Sequence, residues 1–292
     1  MKSVLKYFIL IVSLLLIVVF IGLGNKRSRE SRKTLLCYIG GTMTPVMKDI
    51  AVLYEKKTGK KVNISTAGSG ECLATIQLRK KGDIFICHDP WMDTLMKRGL
   101  GVNAWTIAEL VPVIVVQKDN PKNIKGLQDL LRPDIRLMFP SYEHSTLGNI
   151  LPEIFKNAGI DFAKLNTEKK IPTHRSGSHV ANLIKMKNAD AGIVWQAVAH
   201  LRRESLDVIS IQPHLPEPYV DTITSATGRS YLLMPVKVTA CTLSCSEKQE
   251  DAVAFSEFLL SSDVRNILNA YGFKTEFQGK EYINGVDIRK EK

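Results

Sequence analysis

Thr42 and Ser69 stand in two short runs, 40-GGTMTP-45 and 66-TAGSGE-71, that share one arrangement: small residues directly after a strand-like apolar run and directly before a helix-like one. Small residues let a backbone approach a ligand closely, and a helix start leaves several N–H groups without partners. A hydroxyl at each turn adds a further donor. Donors without a nearby cation suit an anion, and the two turns occupy equivalent places, so they would converge on one spot.

Other chemistry fits less well. Ser69 in G-S-G is not a G-x-S-x-G elbow, and GSGECL lacks the G-K-[ST] ending of a phosphate loop. Cys87 and His88 are neighbours on a strand and point to opposite faces, which argues against a nucleophile and its base. The histidines His88, His144, His174, His179, His200 and His214 include no i, i+4 pair of metal-ligand type. Neither an enzyme nor a resident cofactor or metal is expected. Arg175 and His144 fall in loops that could touch an anion directly.

Along the chain, strand-like runs alternate with helix-like ones, the grammar of an α/β fold. A strand at 35–39 leads through the first turn to a helix over 44–59, with Pro45 at its start and Gly59 at its stop. A strand at 61–66, the second turn, a helix over 73–79 and a strand at 83–87 follow. In open α/β sheets, ligands collect beyond the carboxyl ends of strands. The strand 111–118 precedes a loop, 119–121, that reads as a crossing into a second unit. There the pattern repeats: a strand at 136–139, the turn 141-SYEHSTLG-148, a helix over 149–158, the polar turn 174-HRSGSH-179, a helix over 180–188 and the strand 191-AGIVW-195. A strand over 231–240 carries the chain back, and helices over 249–260 and 263–270 close it. The expected organisation is lobe one from 34–115 and 231–280, lobe two from 116–230, and a C-terminal tail at 281–292, with a cleft between the lobes.

Residues 1–33 differ from the rest. Lys2 and Lys6 precede an apolar run at 7–24, and the basic segment 25-NKRSRESRK-33 follows. This reads as a cleaved signal or as a membrane anchor, and the residues leave both open. The net charge is +11, of which residues 1–33 supply +6. The remaining cations are scattered without aromatic interleaving, so nucleic acid is not an expected partner. Five cysteines without a C-x-x-C pair define no disulfide framework, and Cys37 and Cys87 read as small buried hydrophobes.

The run 40–95 together with 191-AGIVW-195 and the ending YGF at 271–273 resembles periplasmic molybdate-binding proteins of ABC importers, over roughly residues 34–275. That resemblance implies the two-lobe type II periplasmic binding protein fold, a molybdate or tungstate oxyanion as ligand, an ABC permease as partner, an extracytoplasmic location and a monomer. It further implies an oxyanion held by neutral donors: the hydroxyls of Thr42 and Ser69, backbone amides near Leu147 or Thr146 and near Gly177 or Ser178, and the position of Trp195. Gly70 belongs to the same Ser69 turn. The family's usual serine is Thr42 here and its tyrosine is Trp195, so an indole N–H replaces a phenol. The same donors would serve sulfate, and an anion sensor tethered to a membrane is the other reading.

Overall fold

The computed structural model describes residues 34–142, 145–174, 176–217, 222–224, 230–232, 234–276, 281–283 and 286–287. The strands in chain order are β1 (Thr34–Gly40), β2 (Lys61–Ala67), β3 (Ile84–His88), β4 (Gly101–Leu110), β5 (Pro112–Gln117), β6 (Leu137–Pro140), β7 (Thr173–His174), β8 (Ala191–Trp195), β9 (Leu206–Ser210), β10 (Thr222–Thr224), β11 (Ser230–Leu232), β12 (Val236–Leu243), β13 (Glu281–Ile283) and β14 (Val286–Asp287). They form two mixed sheets, ordered β14-β13-β4-β12-β3-β1-β2 and β7-β6-β8-β5-β9, with β10 and β11 as a separate antiparallel pair. Helices interleave with both sheets, giving the two-lobe arrangement.

Period-two alternation divides the first lobe's apolar residues between two cores. Leu35, Cys37 and Ile39 of β1, with Ile84 and Ile86 of β3, join the large core that continues through lobe two. Tyr38, Phe85 and Cys87 face the other way, onto the helices Ser69–Arg79 and Trp91–Lys97. The helix Thr44–Thr58 follows its sequence signals. It has Pro in the first turn, buries Val46, Met47, Ile50 and Tyr54, and ends at Gly59 with φ 69°, a conformation that glycine adopts without strain. All five cysteines are free, and Cys37 and Cys87 are fully buried. Burial pushes the thiols up, that of Cys241 to about 12, so they pack as apolar groups rather than as nucleophiles.

Several sequence expectations need correction. The chain leaves the first sheet at Val111, the single residue between β4 and β5, so β5 lies wholly in the second sheet. The crossing is therefore neither at 115 nor in the loop 119–121. The expected strand 231–240 is two elements, β11 and β12, parted around Pro235, which has no N–H to give to a ladder. Part of the expected C-terminal tail supplies β13 and β14, and β13 pairs with β4 at Trp105 and Ala104.

Candidate functional site

In the first lobe β2, β1 and β3 run parallel, so their carboxyl ends lie along one edge. Each continues into a helix start. The first two turns touch: a Cβ on Gly40 would stand 2.6 Å from Ser69 Oγ, so Gly40 lets the Ser69 hydroxyl lie against the end of β1. Ser69 is only 8% exposed. Its hydroxyl makes no hydrogen bond among the described residues, nor does that of half-buried Thr42. No described side-chain polar atom is buried without a partner, so both hydroxyls open onto accessible space.

The helix Ser69–Arg79 makes its first backbone bond from the Cys72 amide to the Gly68 carbonyl, which leaves the amides of Ser69, Gly70 and Glu71 ahead of the ladder. Its N-cap is Gly68, which has no side chain to cap with. Gly70 serves a neighbour instead: a Cβ there would meet the Trp91 ring at 2.7 Å.

The second lobe repeats the plan. Strands β7, β6 and β8 are parallel, and their carboxyl ends lead to the helices Gly177–Lys185, Thr146–Asn157 and Gln196–His200. Ser145 caps the second of these, its hydroxyl accepting from the Gly148 amide at 3.4 Å, while the Asn149 amide bonds the Ser145 carbonyl. The amides of Thr146 and Leu147 remain ahead of the ladder. The Leu147 side chain is 1% exposed in the core, so only its backbone can face a ligand. Gly148 has no alternative: a Cβ would lie 2.1 Å from the Ser141 carbonyl oxygen.

Ser176 caps the helix Gly177–Lys185, and its hydroxyl takes the Ser178 amide at 3.2 Å. That bond engages Ser178 and leaves the Gly177 amide, beside which there is room: the nearest atom to a Cβ on Gly177 would be Val194 Cβ at 3.8 Å. Trp195, 5% exposed, ends β8 opposite Pro112, and its indole N–H is not used by any described residue. His144 and Arg175 lie outside the described residues.

The two edges face each other. Thr146 Oγ1 donates to the Asp89 carbonyl at 3.3 Å, joining the turn after β6 to the turn after β3. His88 Nδ1 lies 2.8 Å from the same carbonyl, and burial lowers the His88 pKa. Asp89 Oδ2 in turn accepts from the Lys237 amide at 3.0 Å, which fixes the turn to β12. Sequence reasoning passed over Asp89 and Trp91. The available signal was the third strand-turn-helix in the first lobe, 84-IFICHDPWMDTL-95.

A cavity of about 890 Å³ opens at the opposite edge of the second sheet, where β6 and β8 begin. Two of its four cations, Lys169 and Arg136, are held by the fold. Lys169 bonds the carbonyls of Arg132 and Ile135, and Arg136 pairs with Asp190 at 2.8 Å. Among the described residues, no group of three His, Cys, Asp or Glu side chains could hold a metal ion.

Comparison with known proteins agrees with this architecture. The molybdate-binding protein ModA of Mycobacterium tuberculosis is 28% identical over 203 residues, covering 60% of this chain and 72% of the relative. The periplasmic molybdate-binding protein of Azotobacter vinelandii superposes with a TM-score of 0.61 at 16% identity, over 82% of this chain and 98% of that one. The sulfate-binding protein SubI of M. tuberculosis gives 0.63 at 19% identity, over 84% and 87%. Structural likeness at such identities shows the fold alone. The family model for bacterial extracellular solute-binding proteins matches residues 35–274, so the chain belongs to that family of binding proteins.

Proposed function

We propose that this protein captures a tetrahedral oxyanion, molybdate or tungstate, in the cleft between its lobes and delivers it to an ABC permease. The observation that carries the reading is the pair of hydroxyls, Thr42 and Ser69, that open at the edge of the first lobe without a partner among the described residues. Donors from the second lobe complete the set: the amides at Leu147 or Thr146 and at Gly177, and the indole N–H of Trp195. Gly70 and Ser178 belong to the same two turns. The ModA relative supports molybdate as the ligand.

The energetics suit a neutral cradle. A hydrogen bond to a charged group contributes about 1.5–3 kcal/mol. Five or six of them offset the desolvation of a dianion and leave room for binding near about −8 kcal/mol, the micromolar range. Preorganisation makes this possible, because the donors are held by helix starts whose dipoles favour negative charge. Closing the lobes brings both donor sets onto one ion, and the Thr146–Asp89 contact is where the two edges already meet. The protein works outside the cytoplasmic membrane as a monomer, with residues 7–24 serving either as its export signal or as its anchor.

Titration calorimetry with molybdate, tungstate, sulfate and phosphate in parallel tests the reading. Tight binding of the first two with weak sulfate binding is expected. Sulfate binding tightest would move the ligand assignment to sulfate, and no heat with any of the four would overturn the oxyanion reading.

A further inference from the structure

We infer that Glu71 sets how the cleft discriminates between fully ionised tetrahedral oxyanions and those that still carry a proton; the inference rests on the oxyanion reading of the same turn. Glu71 occupies the third position of the helix Ser69–Arg79, and its carboxylate turns back to accept from the Gly68 amide at 3.4 Å. Its Cδ and both oxygens would stand 3.6 to 3.8 Å from a Cβ on Gly68. The negative charge is thus held at the N-cap amide next to Ser69, a residue only 8% exposed whose hydroxyl has no partner among the described residues and opens onto accessible space. No cation among the described residues pairs with Glu71. Of the other carboxylates at this edge, Asp89 is tied to the Lys237 amide and Asp93 lies in the first turn of the helix Trp91–Lys97.

A carboxylate beside a cradle of donors acts in two opposite ways. It repels a dianion that offers only acceptors, such as molybdate, tungstate or sulfate. It also gives the cradle a strong acceptor, to which the hydroxyl of hydrogen phosphate can donate. Glu71 therefore narrows the preference for unprotonated over protonated oxyanions, although the neighbouring donors serve both.

The decisive comparison is Glu71→Gln, since Gln preserves the reach back to the N-cap amide while removing the charge. Molybdate, tungstate and sulfate should each bind about three- to fivefold more tightly, the size of one screened charge contact, and hydrogen phosphate should weaken by a similar factor. The gain for the dianions should shrink as salt is raised. Glu71→Asp retains the charge and should retain wild-type discrimination. Parallel shifts for all four anions, or an Asp variant that behaves like the Gln variant, would mean that Glu71 only caps its helix, and the inference would be wrong. If the wild-type protein bound none of the anions, the oxyanion reading itself would fall, a result distinct from wild-type binding that Glu71→Gln leaves unchanged. Melting temperatures of both variants, expected to match wild type, exclude a folding defect.

Discussion

Each lobe carries three parallel strands running into helix starts, β2-β1-β3 in one and β7-β6-β8 in the other, yet the two place the same residue types at different points of the turn. In the first lobe the run is Gly68-Ser69-Gly70, with glycine at the N-cap, so the Ser69 hydroxyl is left over. In the second it is Ser176-Gly177-Ser178, with serine at the N-cap, so the hydroxyl satisfies the helix's own amide. A shift of one residue turns a structural cap into an available donor. The first lobe therefore offers hydroxyls, and the second offers backbone N–H groups that its caps leave over.

The lobes also pin their central strands alike but compensate the charge differently. Asp83, just before β3, accepts the Leu36 amide at 2.7 Å, and Asp190, just before β8, accepts the Arg136 amide at 2.9 Å. Asp83 is further served by the Ser246 hydroxyl at 2.7 Å, with Lys248 at 3.6 Å. Asp190 is gripped by the Arg136 guanidinium at 2.8 and 3.1 Å. What recurs is a carboxylate that fixes strand offset. The partner varies because either a hydroxyl or a guanidinium can satisfy its remaining oxygen.

The largest effect should come from the glycines. Gly148→Ala drives a methyl group into the Ser141 backbone and should destabilise the protein by about 3–5 kcal/mol in urea unfolding. Gly40→Ala meets only the Ser69 hydroxyl, which can rotate, so the loss should be about 1 kcal/mol with anion affinity markedly reduced. Equal destabilisation by both would show that the two turns are equally rigid.

The serine pair follows. Ser69→Ala should weaken oxyanion binding by about 1.5–3 kcal/mol and leave the melting temperature unchanged, and Thr42→Ala should behave likewise. Ser176→Ala should do the reverse, costing about 0.5–2 kcal/mol of stability with little change in calorimetric affinity. If Ser176→Ala abolished binding at unchanged stability, the contrast between cap and donor would be wrong.

The carboxylates give a comparison in pH. Burial alone would raise the Asp190 carboxyl, but hydrogen bonds from the Arg136 guanidinium and amide outweigh it and hold the group below its ordinary 3.8. A depressed carboxyl binds fewer protons folded than unfolded, so its stabilisation is in place above pH 3.8 and is lost as pH falls through the lower folded value. Asp190→Asn should cost about 2–3 kcal/mol at pH 7, and the gap from wild type should close in acid. Asp83→Asn should cost less, about 1–2 kcal/mol, because Ser246 can turn its hydroxyl to accept from the new amide whereas Arg136 has only donors.

The smallest effect should be that of Thr146→Val, which removes the hydroxyl that meets Asp89 across the cleft. A loss of about 0.5–1.5 kcal/mol is expected, read as faster ligand release with unchanged unfolding. No change in release would place the Thr146–Asp89 bond outside the closing step.

The sequence by itself determined the α/β alternation, the burial of Cys37 and Cys87, the strand Ala191–Trp195 and the place of the two small-residue turns between strand and helix, because these depend on local propensity and on which residues can pack. It misplaced helix starts in one direction: 73 for Ser69, 149 for Thr146 and 180 for Gly177. Apolar periodicity is a weak signal at these starts, because their first turns are built largely of small and polar residues, Ser69-Gly70-Glu71, Thr146 and Gly177-Ser178-His179. Strands β4 and β9 were also missed, the one interrupted by polar Asn103, Thr106 and Glu109 and the other half exposed. Tertiary structure alone decided which hydroxyls remain free, that Gly70 yields to Trp91, and that Asp89 meets Thr146. Each depends on the position of a group distant in sequence, and a hydrogen bond or a steric contact exists only once packing has brought both partners within a few ångströms.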